Sequence, residues 1–293
     1  MKKLFIMACA VAMLTACEKA IEVPDGEASG VVEEPAKTKK FTFTMKGDFG
    51  DDWKQTRGYL SADGKDLTDV WVLDYMDGAL VQQVHQSDNT AENFGKPQMT
   101  LSYGSHHIYF VASRGAEPSL NTTNATITWS SVRDTFWKDY EVNVVSTSNG
   151  NRAVTLDRVV TKLRLTFTDE VPATANSISI VPHTWYYGLD YTTGQPASAQ
   201  TDAATVITIP DASKGQTGIQ ASLFGFSTAE EWNTDVVIIS RTATDDVLGS
   251  ATIAAAPFKA NRVSDYSGPL FSAGGSMSLS LNGEWITPYE GTW

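Results

Sequence analysis

Two thiols are the most reactive groups the chain offers, and both lie near its N-terminus. Cys9 sits inside a nearly unbroken apolar run, Leu4 to Ala16, that follows Lys2 and Lys3; Cys17 comes directly after that run. A basic start, a short apolar stretch and small residues at its end read as an export signal. The run is too short to span a bilayer core of about 30 Å. No cysteine follows Cys17. Disulfides, cysteine zinc sites and cysteine nucleophiles are therefore excluded from the rest of the chain.

The remaining groups form no recognisable catalytic constellation. The four histidines are His85, His106, His107 and His183, and none stands in a spacing that aims two nitrogens at one metal. His106 and His107 are adjacent in or beside a strand, so their side chains diverge. Gly225-Phe226-Ser227 begins like a nucleophile elbow, but Ala229 stands where the second glycine belongs. No glycine-rich phosphate loop is present. Asp51-Asp52 and Asp245-Asp246 lack the ligand spacing of a calcium loop and read as solvated surface. The expectation is a protein that is not an enzyme and needs no metal or cofactor.

The aromatic residues offer a different chemistry. Trp185, Tyr186 and Tyr187 stand between Pro182 and Gly194, with Tyr191 close behind. In a loop, their flat faces would stack on sugar rings. The competing reading puts Trp185 and Tyr187 into a core and Tyr186 over a sheet edge, and the habits of Trp and Tyr in sheets favour it.

Alternating patterns supply the elements that must hold these groups. Phe41, Phe43 and Met45 alternate with Thr42 and Thr44, the period of a half-buried strand. Val70 to Tyr75 is an apolar strand, and Asp77-Gly78 turns the chain back into Ala79 to His85. Further strands are expected at His107–Ala112, Ala125–Trp129, Tyr140–Val145, Val159–Thr168, Ser177–Val181, Thr205–Ile209, Gln220–Phe224, Val236–Arg241 and Val247–Ile253. Met277, Leu279 and Leu281 alternate near the C-terminus. Helix signals are few: Thr228-Ala229-Glu230-Glu231 has capping-box spacing before Trp232, and Ser131 to Trp137 is a second candidate. Many short strands with regular turns predict an all-β chain built of β-sandwiches.

The sequence has 293 residues, enough for two domains or one large one. Of its 22 basic side chains, Lys2 and Lys3 fall in the export signal, leaving 20 against 34 acidic ones. Such a chain repels phosphate backbones, so nucleic acid is a poor partner. Glu18 to Thr38, rich in Glu, Pro, Gly, Ala and Ser, reads as a flexible tether. The expected organisation is a signal over 1–16, a tether over 17–38, an N-terminal β-sandwich over 39–150 and a C-terminal one over 151–293.

Leu14-Thr15-Ala16-Cys17 resembles the lipobox of bacterial lipoproteins. That resemblance implies cleavage between Ala16 and Cys17, a lipid (palmitate among the chains) on Cys17 and attachment to the outer membrane. Two or more acyl chains hold a protein firmly where one does not. Three further stretches resemble the fimbrillin family, the lipoprotein-derived subunits of type V pili. They are Leu67 to Tyr75 with Asp77-Gly78, Tyr103 to Ala112, and Arg158 to Leu165.

The resemblance implies two transthyretin-like sandwiches in series and a structural role as stalk, tip or anchor of a cell-surface fimbrium. Its partners would be other fimbrial subunits, joined by strand exchange, and its purpose adhesion. It also implies that stalk subunits lose an N-terminal segment to a protease cutting after a basic residue. Arg57, in the polar loop Lys54 to Gly58, is the candidate site, since exposed polar loops are where proteases cut. Met277, Leu279 and Leu281 are the candidate contact strand between subunits, hinged at Gly274 and Gly275. The alternative is a lipid-anchored glycan-binding protein of a polysaccharide-uptake system, resting on the Trp185 to Tyr191 stretch.

Overall fold

The computed structural model describes residues 37–47, 67–272 and 278–282. Ala16, Cys17, Arg57 and Met277 lie outside them, as does most of the tether. The regular structure of the described residues is strand, with no α-helix and one short 3-10 turn at Asp211–Ser213, so the all-β expectation holds. The first nine strands are β1 (Thr38–Gly47), β2 (Asp69–Met76), β3 (Ala79–Gln86), β4 (Gln98–Ser102), β5 (Gly104–Ser113), β6 (Ser119–Asn121), β7 (Thr126–Thr128), β8 (Thr135–Val144) and β9 (Asn151–Arg158). Ten more follow: β10 (Val160–Phe167), β11 (Ala175–Pro182), β12 (Thr184–Asp190), β13 (Gln195–Thr201), β14 (Thr205–Thr208), β15 (Ile219–Phe226), β16 (Trp232–Thr242), β17 (Val247–Phe258), β18 (Val263–Gly268) and β19 (Ser278–Asn282).

A seven-stranded sheet runs β3-β2-β5-β8-β9-β1-β4. At the β8–β9 seam only Phe136 with Arg158 and Trp137 with Asp157 are paired. The two parts of this sheet share one core, in which Phe41, Phe43, Met99 and Leu156 of one part meet Val70, Val72, Ile108 and Phe110 of the other. Two four-stranded sheets, β15-β10-β18-β19 and β14-β11-β16-β17, share a second core. There Leu163, Leu165 and Phe167 meet Ile178, Ile180 and Ile238. A last sheet, β13-β12-β7-β6, joins strands from both halves of the sequence. Beside it lies a third core containing Trp71, Leu73, Ile127, Leu189, Tyr191 and Phe226.

This layering explains the apolar run of β2. Val70 and Val72 enter the first core while Trp71 and Leu73 enter the third; a strand buried on both faces loses its alternation. Two expected helical turns do not form. Ser131–Trp137 leads into β8, because Phe136 must enter the first core while Trp137 packs on the third. In Thr228–Glu231 the threonine hydroxyl donates to the Glu230 carbonyl instead of capping a helix. β9 begins beyond the expected boundary at 150, yet pairs in parallel with β1 and adds Val154 and Leu156 to the first core.

Candidate functional site

Strand β1 holds the first sandwich-like layer together from within. Its first residues pair antiparallel with β4, Thr38 opposite Ser102 through Thr42 opposite Gln98. Its later residues pair in parallel with β9, Thr42 opposite Asn151 through Gly47 opposite Leu156. Phe41, Phe43 and Met45 are fully buried, as their alternation predicts. The Phe43 ring meets Phe110 and Tyr140 edge-on, at centroid distances of 5.1 and 6.1 Å. The Arg152 guanidinium lies 5.7 Å from the Phe41 ring centre. β1 is thus one strand with two ladders and three core side chains, and it enters the sheet from a separate stretch of chain.

At the other end of the sequence, Leu279 and Leu281 fall in β19, opposite Tyr266 and Ser264 of β18. Among the described residues β19 is the outer strand of its sheet.

The Trp185–Tyr187 stretch is strand, not loop. Trp185 is 1 % exposed. Its Nε1 donates to the Phe224 carbonyl at 2.9 Å, and Phe258 and Trp232 flank the ring. Gly225 faces it so closely that a Cβ there would come within 2.5 Å of the indole. Stacking on a sugar ring is therefore closed to Trp185. Tyr186 packs edge-on against Trp232, and the Tyr187 hydroxyl lies 3.5 Å from that of Thr205; both rings are half-buried.

The histidines separate as adjacent strand residues should. His106 is buried, with Nδ1 2.7 Å from Asp74 Oδ1 and Nε2 2.9 Å from the Ser102 carbonyl. That carbonyl can only accept, so Nε2 donates, and the proton between Nδ1 and Asp74 leaves the pair net neutral. Burial pushes the Asp74 carboxyl above its usual value, and the His106 contact pulls against that. His85 stacks on Trp71 and meets Asp69 at 2.9 Å. His183 is exposed, 3.1 Å from Asp202.

His107 points to the opposite face of β5 from His106. Its Nδ1 lies 3.7 Å from both Asp139 Oδ1 and Glu141 Oε1 of β8. Beside it the Tyr75 and Tyr191 hydroxyls share a hydrogen bond of 2.7 Å, and Tyr109 packs edge-on against Tyr75. Burial first, then Asp139, Tyr75, Asp190 and Glu141, hold the Tyr109 phenol above its ordinary range. No sequence motif announces this group, because its members meet only through the β5–β8 register.

The sequence matches no family model and no curated protein. Solved structures do match. A provisionally named adhesin from Bacteroides thetaiotaomicron is similar over 85% of this chain and 100% of its own, at 9% identity and a TM-score of 0.50. A provisionally named polysaccharide-binding protein from the same organism is similar over 80% of this chain and 92% of its own, at 11% identity and a TM-score of 0.49. A fimbrial assembly protein from Parabacteroides distasonis is similar over 85% of this chain and 100% of its own, at 11% identity and a TM-score of 0.45. The likeness to the first of these is one of fold.

Proposed function

We propose that the chain is a structural subunit of a cell-surface fimbrium, of the fimbrillin kind, serving adhesion as stalk, tip or anchor. The observation that carries this reading is β1. It is an alternating strand, buried to its last phenylalanine, that fills a place between β4 and β9. The fold likeness to an adhesin supports the same reading. The lipid on Cys17 ties the precursor to the outer membrane. A cut after Arg57 releases lipid, tether and β1 together.

The loss uncovers core residues that had packed on Phe41, Phe43 and Met45, each burial worth about 1.5–3 kcal/mol. A neighbouring subunit's strand fills the groove and restores both ladders, which is β-augmentation. Ser278–Asn282 at the outer edge of its sheet, with Met277 before it, is the strand offered to a neighbour. The alternative, a lipid-anchored glycan-binding protein, draws no support from Trp185, whose ring is covered.

The test is N-terminal sequencing of subunits from assembled fibres, with an Arg57→Ala strain beside it. Subunits starting at residue 58, and an Arg57→Ala protein that stays monomeric, are expected. Fibres whose subunits begin at Cys17, or normal polymerisation of the variant, would overturn the strand-exchange mechanism.

A further inference from the structure

We propose that His107, Asp139 and Glu141 form a site for a divalent transition metal, with zinc the best match. The three side chains stand on one face of two paired strands. His107 is directly opposite Glu141, and Tyr109, two residues along, is opposite Asp139. One donor atom from each lies within 4.8 Å of the other two. An imidazole nitrogen with two carboxylate oxygens is a zinc donor set, with bonds of about 2.0–2.2 Å. Donors so placed around a tetrahedral ion are about 3.4 Å apart. The two separations of 3.7 Å from His107 Nδ1 therefore close on an ion with small side-chain rotations. Calcium and magnesium prefer oxygen ligands and fit the nitrogen poorly.

A second observation points to a cation. The Asp139 side chain is 36 % exposed, but its Oδ1 is shielded from solvent and accepts no hydrogen bond; the 3.7 Å to His107 is too long for one. A carboxylate oxygen taken from water without a partner is costly; a bound ion supplies that partner. The surroundings are negative. Asp139 and Glu141 stand together on this face, and the nearest basic residue in sequence, Lys138, is engaged with Asp157 at 2.9 Å. The platform is firm, because β5 and β8 stay in register from Gly104 opposite Val144 to Ser113 opposite Thr135. Three protein ligands leave one tetrahedral position for water or for a group from another molecule.

Isothermal titration of the purified chain with zinc chloride near neutral pH, in a non-chelating buffer, tests this. One equivalent bound with micromolar affinity is expected. His107→Ala and Glu141→Gln should each weaken it ten-fold or more, while His183→Ala leaves it unchanged. His107 and Glu141 are 49 % and 74 % exposed, so both variants should keep the wild-type melting temperature without metal. Absence of binding, or binding that survives His107→Ala, or equal loss in His183→Ala, would overturn the site.

Discussion

Lys162 is fully buried in β10, its ammonium 5.2 Å from the centre of the Phe224 ring. Burial first, then the charge of Arg164, lower it from 10.5 to about 7, against the pull of Asp134 and Asp265. The unfolded chain keeps this proton to near 10.5, while the folded chain releases it at about 7. Between those values the unfolded state binds more protons, so stability rises with pH there; below about 7 both states are protonated and the burial cost is felt in full. One such group adds a slope of at most about 1.4 kcal/mol per pH unit. Urea unfolding of wild type and Lys162→Met should therefore diverge in slope between pH 7 and about pH 9, short of the tyrosine range. The wild type should rise more steeply; parallel slopes would contradict this. The alternation of Val159 to Thr168 puts Lys162 on the face opposite Leu163. What it cannot tell is that this second face is also covered, by residues such as Phe224 more than fifty positions on.

Strand β1 shows what pattern reading can and cannot reach. Its core residues stand out in the sequence because period-two alternation records one buried and one half-buried face. Its partners do not. β4 and β9 are polar-rich strands, and pairing β1 in parallel with β9 joins residues over a hundred positions apart. β12 is open in the sequence between an aromatic loop and a strand with Trp185 and Tyr187 in a core, the strand being favoured; Trp-Tyr-Tyr hides the period because both of its faces meet apolar neighbours. β13, with the sequence QPASAQT, is held as a strand by pairing with β12 rather than by its own apolar residues. The element-level expectation follows from β1's burial. Phe43→Ala removes a ring packed against Phe110 and Tyr140, which costs about 3–5 kcal/mol. Thr44→Ala, on the half-buried face, should cost far less. Chemical denaturation of the uncut chain checks the contrast, and equal losses would mean that β1 is not packed as described.

The two halves of the described chain are stitched rather than merely strung together. β7 pairs with β12, Thr128 opposite Gly188, Ile127 opposite Leu189 and Thr126 opposite Asp190. Arg158 grips Asp134 with two hydrogen bonds of 2.6 and 3.0 Å, and reaches Asn261 at 2.8 Å. At the centre of the seam stands Tyr191, fully buried. Its hydroxyl meets Tyr75, its carbonyl accepts from Trp137 Nε1 at 2.7 Å, and its N–H donates to the Ala125 carbonyl at 3.0 Å. Strands so far apart in sequence carry no mark of their pairing, so two independent sandwiches are what the pattern alone suggests. A shared sheet and a shared core instead couple the unfolding of one half to the other. Calorimetry of the wild-type chain should give a single transition, as for a cooperative unit. Tyr191→Ala removes the central ring and its hydroxyl contact, at a cost of about 3–5 kcal/mol. It leaves the first core around Phe43 and the second around Phe167 untouched, so the transition should broaden or split in two. Phe167→Ala serves as the control, lowering the melting temperature by weakening the second core without loosening the seam. Two transitions in the wild type, or a Tyr191→Ala transition as sharp as that of Phe167→Ala, would mean that the seam does not couple the halves.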